Sequence, residues 1–365
     1  MERQKILIKG MVLPMTGSGD FFSKGEIAVE DGKILSVGPV GSAPEGFTPD
    51  EIFEGENLLA MPGLINGHTH AAMTLLRSYA DDLPLMEWLE QKIWPFEAKM
   101  TGEDIYWGSK LAILEMIQSG TTCMLDMYMA MDRVAEAVDE SGFRASLSRG
   151  MIGVAPNSQT SLDQAIELVK NWHGKAEGRV QVLLGPHAPY TCPPDYLRKV
   201  IEVAKEYQVG INIHLAETAG EVEDIIKQYG KSPIRLMDEV GLFEVPVVAP
   251  HCVHVDQEEI GILAKHQVGV VHNPESNMKL ASGACPVSEM LKAGVTVGIG
   301  TDGASSNNNQ DLFGEMRTAA FLQKLSHGST ALPAYETLEL ATSRGAKAIG
   351  LDKLGQLKPG YTADI

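Results

Sequence analysis

The stretch PGLINGHTHAAMTLLRS, Pro62–Ser78, sets two histidines one residue apart behind a short apolar run. In a strand, residues i and i+2 face the same way. His68 and His70 at a strand end would therefore aim two imidazoles at one point. A metal site needs that arrangement, whereas a solvated loop does not. The rest of the chain decides between the two readings.

Working outward, eight nearly continuous apolar runs appear, at 58–65, 121–127, 144–150, 180–186, 210–216, 245–250, 268–273 and 295–300. Strands buried on both faces read this way. Amphipathic segments separate them. Thr101 with Asp104, and Ser161 with Gln164, have the spacing of a helix-start capping box. Eight strand–helix alternations predict an α/β fold, a (β/α)8 TIM-like barrel over 61–352. Residues 1–60 read instead as short strands. The run EIAVEDGKILSVG is a hairpin turning at Asp31-Gly32. They predict a small β domain, joined by 353–365.

Chemistry in such barrels sits at the C-terminal ends of the strands. Those ends carry His68 and His70, Asp126, Arg149, His187, His214 with Glu217 three residues on, His251, His272 and Asp302. Of the ten histidines, His173, His266 and His327 sit in polar segments, and His254 reads as structural. Three histidines and one aspartate from strands one, five and eight would converge on the barrel mouth. That donor set suits zinc, with iron or another divalent ion as alternatives.

Composition narrows the partners. Thirty Lys and Arg against 48 Asp and Glu leave a net charge of −18. This argues against nucleic acid, which needs clustered basic residues. No apolar run reaches membrane-spanning length, and MERQKILIKG lacks a secretory core. The four cysteines form no C-x-x-C pair and read as reduced thiols in a cytoplasmic enzyme. Neither H-E-x-x-H nor the cytidine-deaminase signature occurs.

With these motifs in place, the chain resembles the amidohydrolase superfamily, through GHTH at 67–70, HLAE at 214–217, APHCVHV at 249–255 and GTDGASSNN at 300–308. LEQKIWPFEAKM at 89–100, GPHAPYTC at 185–192 and NPESNMKLASG at 273–283 make it similar to the 5-methylthioadenosine/S-adenosylhomocysteine deaminases within it. The resemblance implies that the N-terminal strands and the C-terminal end form a small β-sandwich, with further strands expected after Ile365. It implies that His68, His70, His214 and Asp302 bind one divalent ion, Zn2+ first, with Fe2+ or Mn2+ as alternatives. Strand four, VQVLLGPHA, lacks the lysine that binuclear members carboxylate, which favours a single ion. Glu217 is implied as the proton shuttle, His251 as an aid to water deprotonation, and Asp302 as a contact to both ion and water. Glu97 is implied to accept the ribose hydroxyls, and Arg149 and His187 to contact the substrate.

The implied reaction is hydrolytic deamination of 5′-methylthioadenosine and/or S-adenosylhomocysteine to the inosine analogue and ammonia. A metal-bound hydroxide attacks C6, and charge pushed onto N1 calls for a neighbouring carboxylic acid, worth ~10²–10⁴-fold in rate. Alternative substrates are adenosine or 5′-deoxyadenosine, guanine, or a chlorotriazine. A non-catalytic scaffold would be expected to have lost ligands, and the full set is present here. The resemblance also implies a homo-oligomer; some members of the family draw a second arginine from a neighbouring subunit, for which Arg133 and Arg144 are the candidates here.

Overall fold

Eight strands in strict sequence order make the larger sheet of the computed structural model, which describes residues 4–365. The first three residues, part of the N-terminal stretch read for a secretory core, lie outside the described residues. Four short strands precede the eight: β1 (Lys5–Val12), β2 (Phe22–Glu30), β3 (Lys33–Pro39) and β4 (Glu51–Ala60). The eight are β5 (Leu64–Thr69), β6 (Thr121–Tyr128), β7 (Arg144–Met151), β8 (Val180–Pro186), β9 (Ile211–Asn212), β10 (Val247–Pro250), β11 (Gly269–His272) and β12 (Thr296–Ile299). Each pairs in parallel with the next. A parallel bridge from Thr69 to Asp302 brings the last strand back to the first. The result is a closed barrel with helices outside.

Alternation along the strands explains why the barrel is solid below and polar above. Leu64, Met124 and Val270 pack outward into the large core between strands and helices. Their neighbours Ile65, Cys123, Leu125 and Val271 pack inward with Leu183 and Val248. Ala346, Ile349 and Leu354 close this inner cluster. Burying such a plug is favourable at roughly 25 cal/mol per Å² of apolar surface. It leaves the opposite, C-terminal mouth for polar groups.

β1 to β4 form a smaller mixed sheet in the order β3-β2-β1-β4. β1 pairs antiparallel with β2 and parallel with β4. Asp31 and Gly32 turn the hairpin at φ values of 51° and 70°, which a two-residue turn of this hand requires. Val12, Ile27, Val29 and Ile34 bury one face together with Leu357. Thr362 bridges Lys33.

Several boundaries differ from the sequence reading. Leu58–Ala60 belong to the exposed β4, and Pro62 separates them from β5. β9 is only two residues long, so His214 follows it rather than lying within it. The helix expected to start at Ser161 begins at Ser158, so Ser161 sits inside its first turns and caps nothing. Thr101 does cap its helix, Gly102–Gln118, through a capping box with Asp104. No helix among the described residues is long and apolar enough to cross a membrane.

Candidate active site

The mouth of the barrel gathers His68, His70, Glu97, Arg149, His187, His214, Glu217, His251 and Asp302. His68 lies in β5 and His70 directly follows it. The ladder to β6 shifts register between Asn66 and Thr69, so strict alternation breaks where His68 sits. Arg149 lies in β7; His187 and His251 directly follow β8 and β10. His214, Glu217 and Asp302 occupy the loops after β9 and β12. Glu97 ends the short helix Trp94–Glu97, which overhangs the mouth.

His68, His70 and His214 each offer a ring nitrogen, and these atoms lie within 4.8 Å of one another. Asp302 Oδ1 is 3.4 Å from His68 Nε2 and 3.2 Å from His70 Nε2. Asp302 Oδ2 accepts hydrogen bonds from Ser276 Oγ at 2.7 Å and Ser306 Oγ at 3.2 Å. The backbone is bent to achieve this: Asp302 has a φ of 59° and His251 one of 74°. Such conformations cost about 1–3 kcal/mol each and persist where the surroundings enforce them.

The donor set fits a cation. His70 Nδ1 contacts the Met127 carbonyl at 2.5 Å and His214 Nδ1 the His187 carbonyl at 2.7 Å. A ring that donates from Nδ1 keeps the Nε2 lone pair free. His68 is fully buried, and neither of its ring nitrogens has a hydrogen-bond partner. Buried polar atoms are seldom left so, and a metal bond would satisfy one. Burial lowers the His68 pKa to about 4, and burial with the surrounding imidazoles takes His214 well below its usual value. Both are neutral, as ligands must be. Burial opposes the charged form of His70 too, but the hydrogen bond and charge of Asp302 raise it to about 9. Burial would raise Asp302, yet the close approach of its Oδ1 to the His68 and His70 rings holds it well below the carboxylate range. Asp302 thus calls for positive charge at the centre of the cluster.

Beside this cluster, Glu217 is 6% exposed and its pKa is raised by burial. Its Oε1 accepts from Ser282 Oγ at 3.2 Å, and its Oε2 lies 3.7 Å from His251 Nε2. The Glu217 backbone N–H donates to Glu221 Oε2 at 2.8 Å. His251 Nδ1 lies 2.9 Å from Asn277 Oδ1 and 3.4 Å from Asn273 Nδ2, which fix the ring with Nε2 turned toward Glu217.

A cavity of about 280 Å³ opens above, with His70, His214, Glu217, His251 and Asp302 in its lining. Trp88, Leu89, Ile93 and Trp94 supply apolar wall, and Glu97, Arg149 and His187 also line it. Burial raises the Glu97 pKa, opposed by a hydrogen bond from the Tyr128 hydroxyl. Arg149 Nε donates to Gln164 Oε1 at 3.2 Å. Burial lowers the Arg149 pKa. No carboxylate pairs with it among the described residues.

Other candidates lie elsewhere. Asp126 is buried and accepts the Ala71 N–H at 2.7 Å, holding the turn after His70 rather than lining the cavity. His272 and Asn273 are fully buried beneath it. His254 Nε2 bonds the Ser282 carbonyl at 2.6 Å. Arg144 pairs with Asp364, and Arg133 with Glu103 and Glu136. Sequence reasoning missed the roles of Tyr128, Ser276, Asn277 and Ser282. The last three lie within NPESNMKLASG, so the segment was visible although its individual contacts were not.

Residues 59–365 match the model of the Amidohydrolase family. The chain is 59% identical over 361 residues to a 5-methylthioadenosine/S-adenosylhomocysteine deaminase of Desulfitobacterium hafniense, covering 99% of this chain and 84% of that one. Among solved structures, an adenosine deaminase from Xanthomonas campestris with bound zinc is similar at a TM-score of 0.94 and 38% identity, covering 99% of this chain and 83% of that one. The zinc-complexed atrazine chlorohydrolase TrzN of Arthrobacter aurescens is similar at 0.90 and 25%, covering 98% and 86%.

Proposed function

Because this chain belongs to the amidohydrolase superfamily, and within it to the 5-methylthioadenosine/S-adenosylhomocysteine deaminases, we propose that it hydrolyses the C6 amine of 5′-methylthioadenosine and S-adenosylhomocysteine. The observation that carries this reading is a buried carboxyl group, Glu217, beside a cluster of three histidines and Asp302 at the floor of one cavity.

His68, His70, His214 and Asp302 would hold one divalent ion, with zinc the first choice. When bound, the ion supplies Lewis acidity, bringing the pKa of water to about 7. The protein's own groups move the protons. Asp302 is oriented by Ser276 and Ser306 to accept a proton from water. His251, with Nε2 turned toward Glu217, is assigned to assist that deprotonation. Glu217, whose pKa burial raises, is placed to donate a proton to ring N1 as charge develops there. The two hydrogens of the water end on N1 and on the departing amine, giving the inosine analogue and ammonia.

Glu97 is assigned to the ribose hydroxyls, with His187 beside the substrate. The wall from Trp88 to Trp94 suits a 5′-thioether. Arg149, without a carboxylate partner, suits the carboxylate tail of S-adenosylhomocysteine. The similarity to an adenosine deaminase favours adenosine as the second reading; guanine and chlorotriazines would leave Glu97 without its ribose. Ammonia release over a panel of these nucleosides and bases tests the assignment. Faster turnover of guanine or a triazine than of methylthioadenosine would overturn it.

We further propose a division into a barrel, 61–352, and a small β domain, 1–60 with 353–365. A homo-oligomer is supported by Trp107, Leu111, Leu114 and Ile117, which expose apolar surface along the helix Gly102–Gln118. Four buried free cysteines support a reducing, cytoplasmic setting. The charge balance supports a small-molecule partner over nucleic acid.

A further inference from the structure

One short segment, 273–283, reaches three groups that follow three different strands. Ser276 bonds Asp302, Asn277 bonds His251, and Ser282 bonds Glu217. The first two contacts orient Asp302 and His251. The third bears on the group that must give up a proton.

Ser282 has little freedom to do otherwise. It is 3% exposed. Its backbone N–H donates to the Asn277 carbonyl at 2.8 Å. Its own carbonyl contacts His254 Nε2 at 2.6 Å. The next residue, Gly283, turns at a φ of 124°, where an added Cβ would lie 2.9 Å from Val253 and 3.5 Å from His254. The hydroxyl is thereby presented to Glu217 Oε1 by a fixed backbone. The Glu217 main chain is held independently by Glu221.

We propose that Ser282 is a positioning residue that places the transferable proton of Glu217 on Oε2. The inference rests on the deamination reading above. A protonated carboxyl group has one hydroxyl oxygen and one carbonyl oxygen. A hydroxyl donating to Oε1 makes Oε1 the carbonyl oxygen and leaves the proton on Oε2, the oxygen that faces His251. In turnover the Oε2–H bond breaks, an N1–H bond forms, and Glu217 becomes a carboxylate. The bond from Ser282 then becomes charge-assisted and strengthens, roughly twofold over a neutral one. That gain exists only as the proton leaves, so it lowers the barrier rather than tightening substrate binding. His254, through the Ser282 carbonyl, fixes the donor and takes no part in the chemistry.

Steady-state kinetics of the metal-loaded full chain test this. Wild-type turnover is measured first: its absence would refute the deamination reading and not the role of Ser282 alone. Given wild-type turnover, S282A is expected to lower kcat about tenfold with KM within about twofold, the size expected for losing one hydrogen bond to a developing charge. Metal content and melting temperature should match wild type. S282T should recover most of the loss, because it restores the hydroxyl. In an E217Q background, adding S282A should cost less than about twofold, since no proton leaves Oε2 there. If S282A does not fold, S282C, of similar shape and a weaker donor, gives the same readout. Unchanged kcat, a loss confined to KM, or an equal loss in the E217Q background would each overturn the assignment.

Discussion

Replacing Arg149 with methionine should split the two substrates. The guanidinium sits half-buried in the cavity wall, donating to Gln164, with no carboxylate among its described partners. Burial already disfavours its charge. A guanidinium bonded only to neutral acceptors, Gln164 and the Gly150 carbonyl, lacks a compensating charge until an anion arrives. The carboxylate tail of S-adenosylhomocysteine is such an anion, and methylthioadenosine has none. A hydrogen bond to a charged group contributes about 1.5–3 kcal/mol. At 1.4 kcal/mol per factor of ten, kcat/KM for S-adenosylhomocysteine should fall about tenfold to a hundredfold. For methylthioadenosine it should hold within about threefold. The fold should not suffer, because an uncompensated charge is exchanged for an apolar chain of similar length. The assay is ammonia release with each nucleoside under matched metal loading. Equal losses on both substrates would mean that Arg149 shapes the cavity generally. No loss on either would mean that the tail binds elsewhere. Both outcomes refute the reasoning.

Three further expectations follow from the geometry. Gly269→Ala would put a Cβ 1.9 Å from the Ala348 carbonyl oxygen at the plugged end of the barrel; chemical denaturation should show a loss of about 3 kcal/mol or more, or no folded protein. Stripping the divalent ion with a chelator should lower the melting temperature, and zinc should restore it, because ligand at a hundredfold over its dissociation constant stabilises by about 2.7 kcal/mol. Glu221 is held by burial at about 7 against an ordinary 4.5. The folded state therefore binds its proton more tightly, and this contribution, on the order of 3 kcal/mol, is complete below about 4.5 and lost as the pH rises through about 7. Denaturation midpoints for E221Q should depend less steeply on pH over that window than those for wild type.

What the sequence disclosed, and what it hid, follows the range of the interactions. Eight apolar runs are a short-range signal, and the histidines and aspartate at their ends needed only the direction of the strands to be grouped. The misplaced boundaries have local causes. Leu58–Ala60 are as apolar as the β5 residues that follow, and only pairing with β1 assigns them to the exposed β4. β9 has just two ladder residues, so periodicity could not place His214 outside it. Ser161 had the right spacing for a cap, but the chain was already helical by then. Ser276, Asn277 and Ser282 were beyond reach for another reason. Their partners lie 26 to 65 residues away, and nothing in a serine or asparagine foretells which distant carboxylate or imidazole it will meet. Arg133 and Arg144 could not be told apart for the same reason, and within this chain they pair with Glu136 and Asp364.

The parallel bridge between Thr69 and Asp302 has a consequence for how the molecule is made. Two of the histidines stand near one end of the polypeptide and the aspartate near the other, and they meet only where the last staves are joined. During synthesis, a nascent chain on the ribosome holds His68 and His70 long before Asp302 has left the exit tunnel. Until then the set lacks its only carboxylate donor. The complete donor set therefore exists only where the first and last strands of the ring meet.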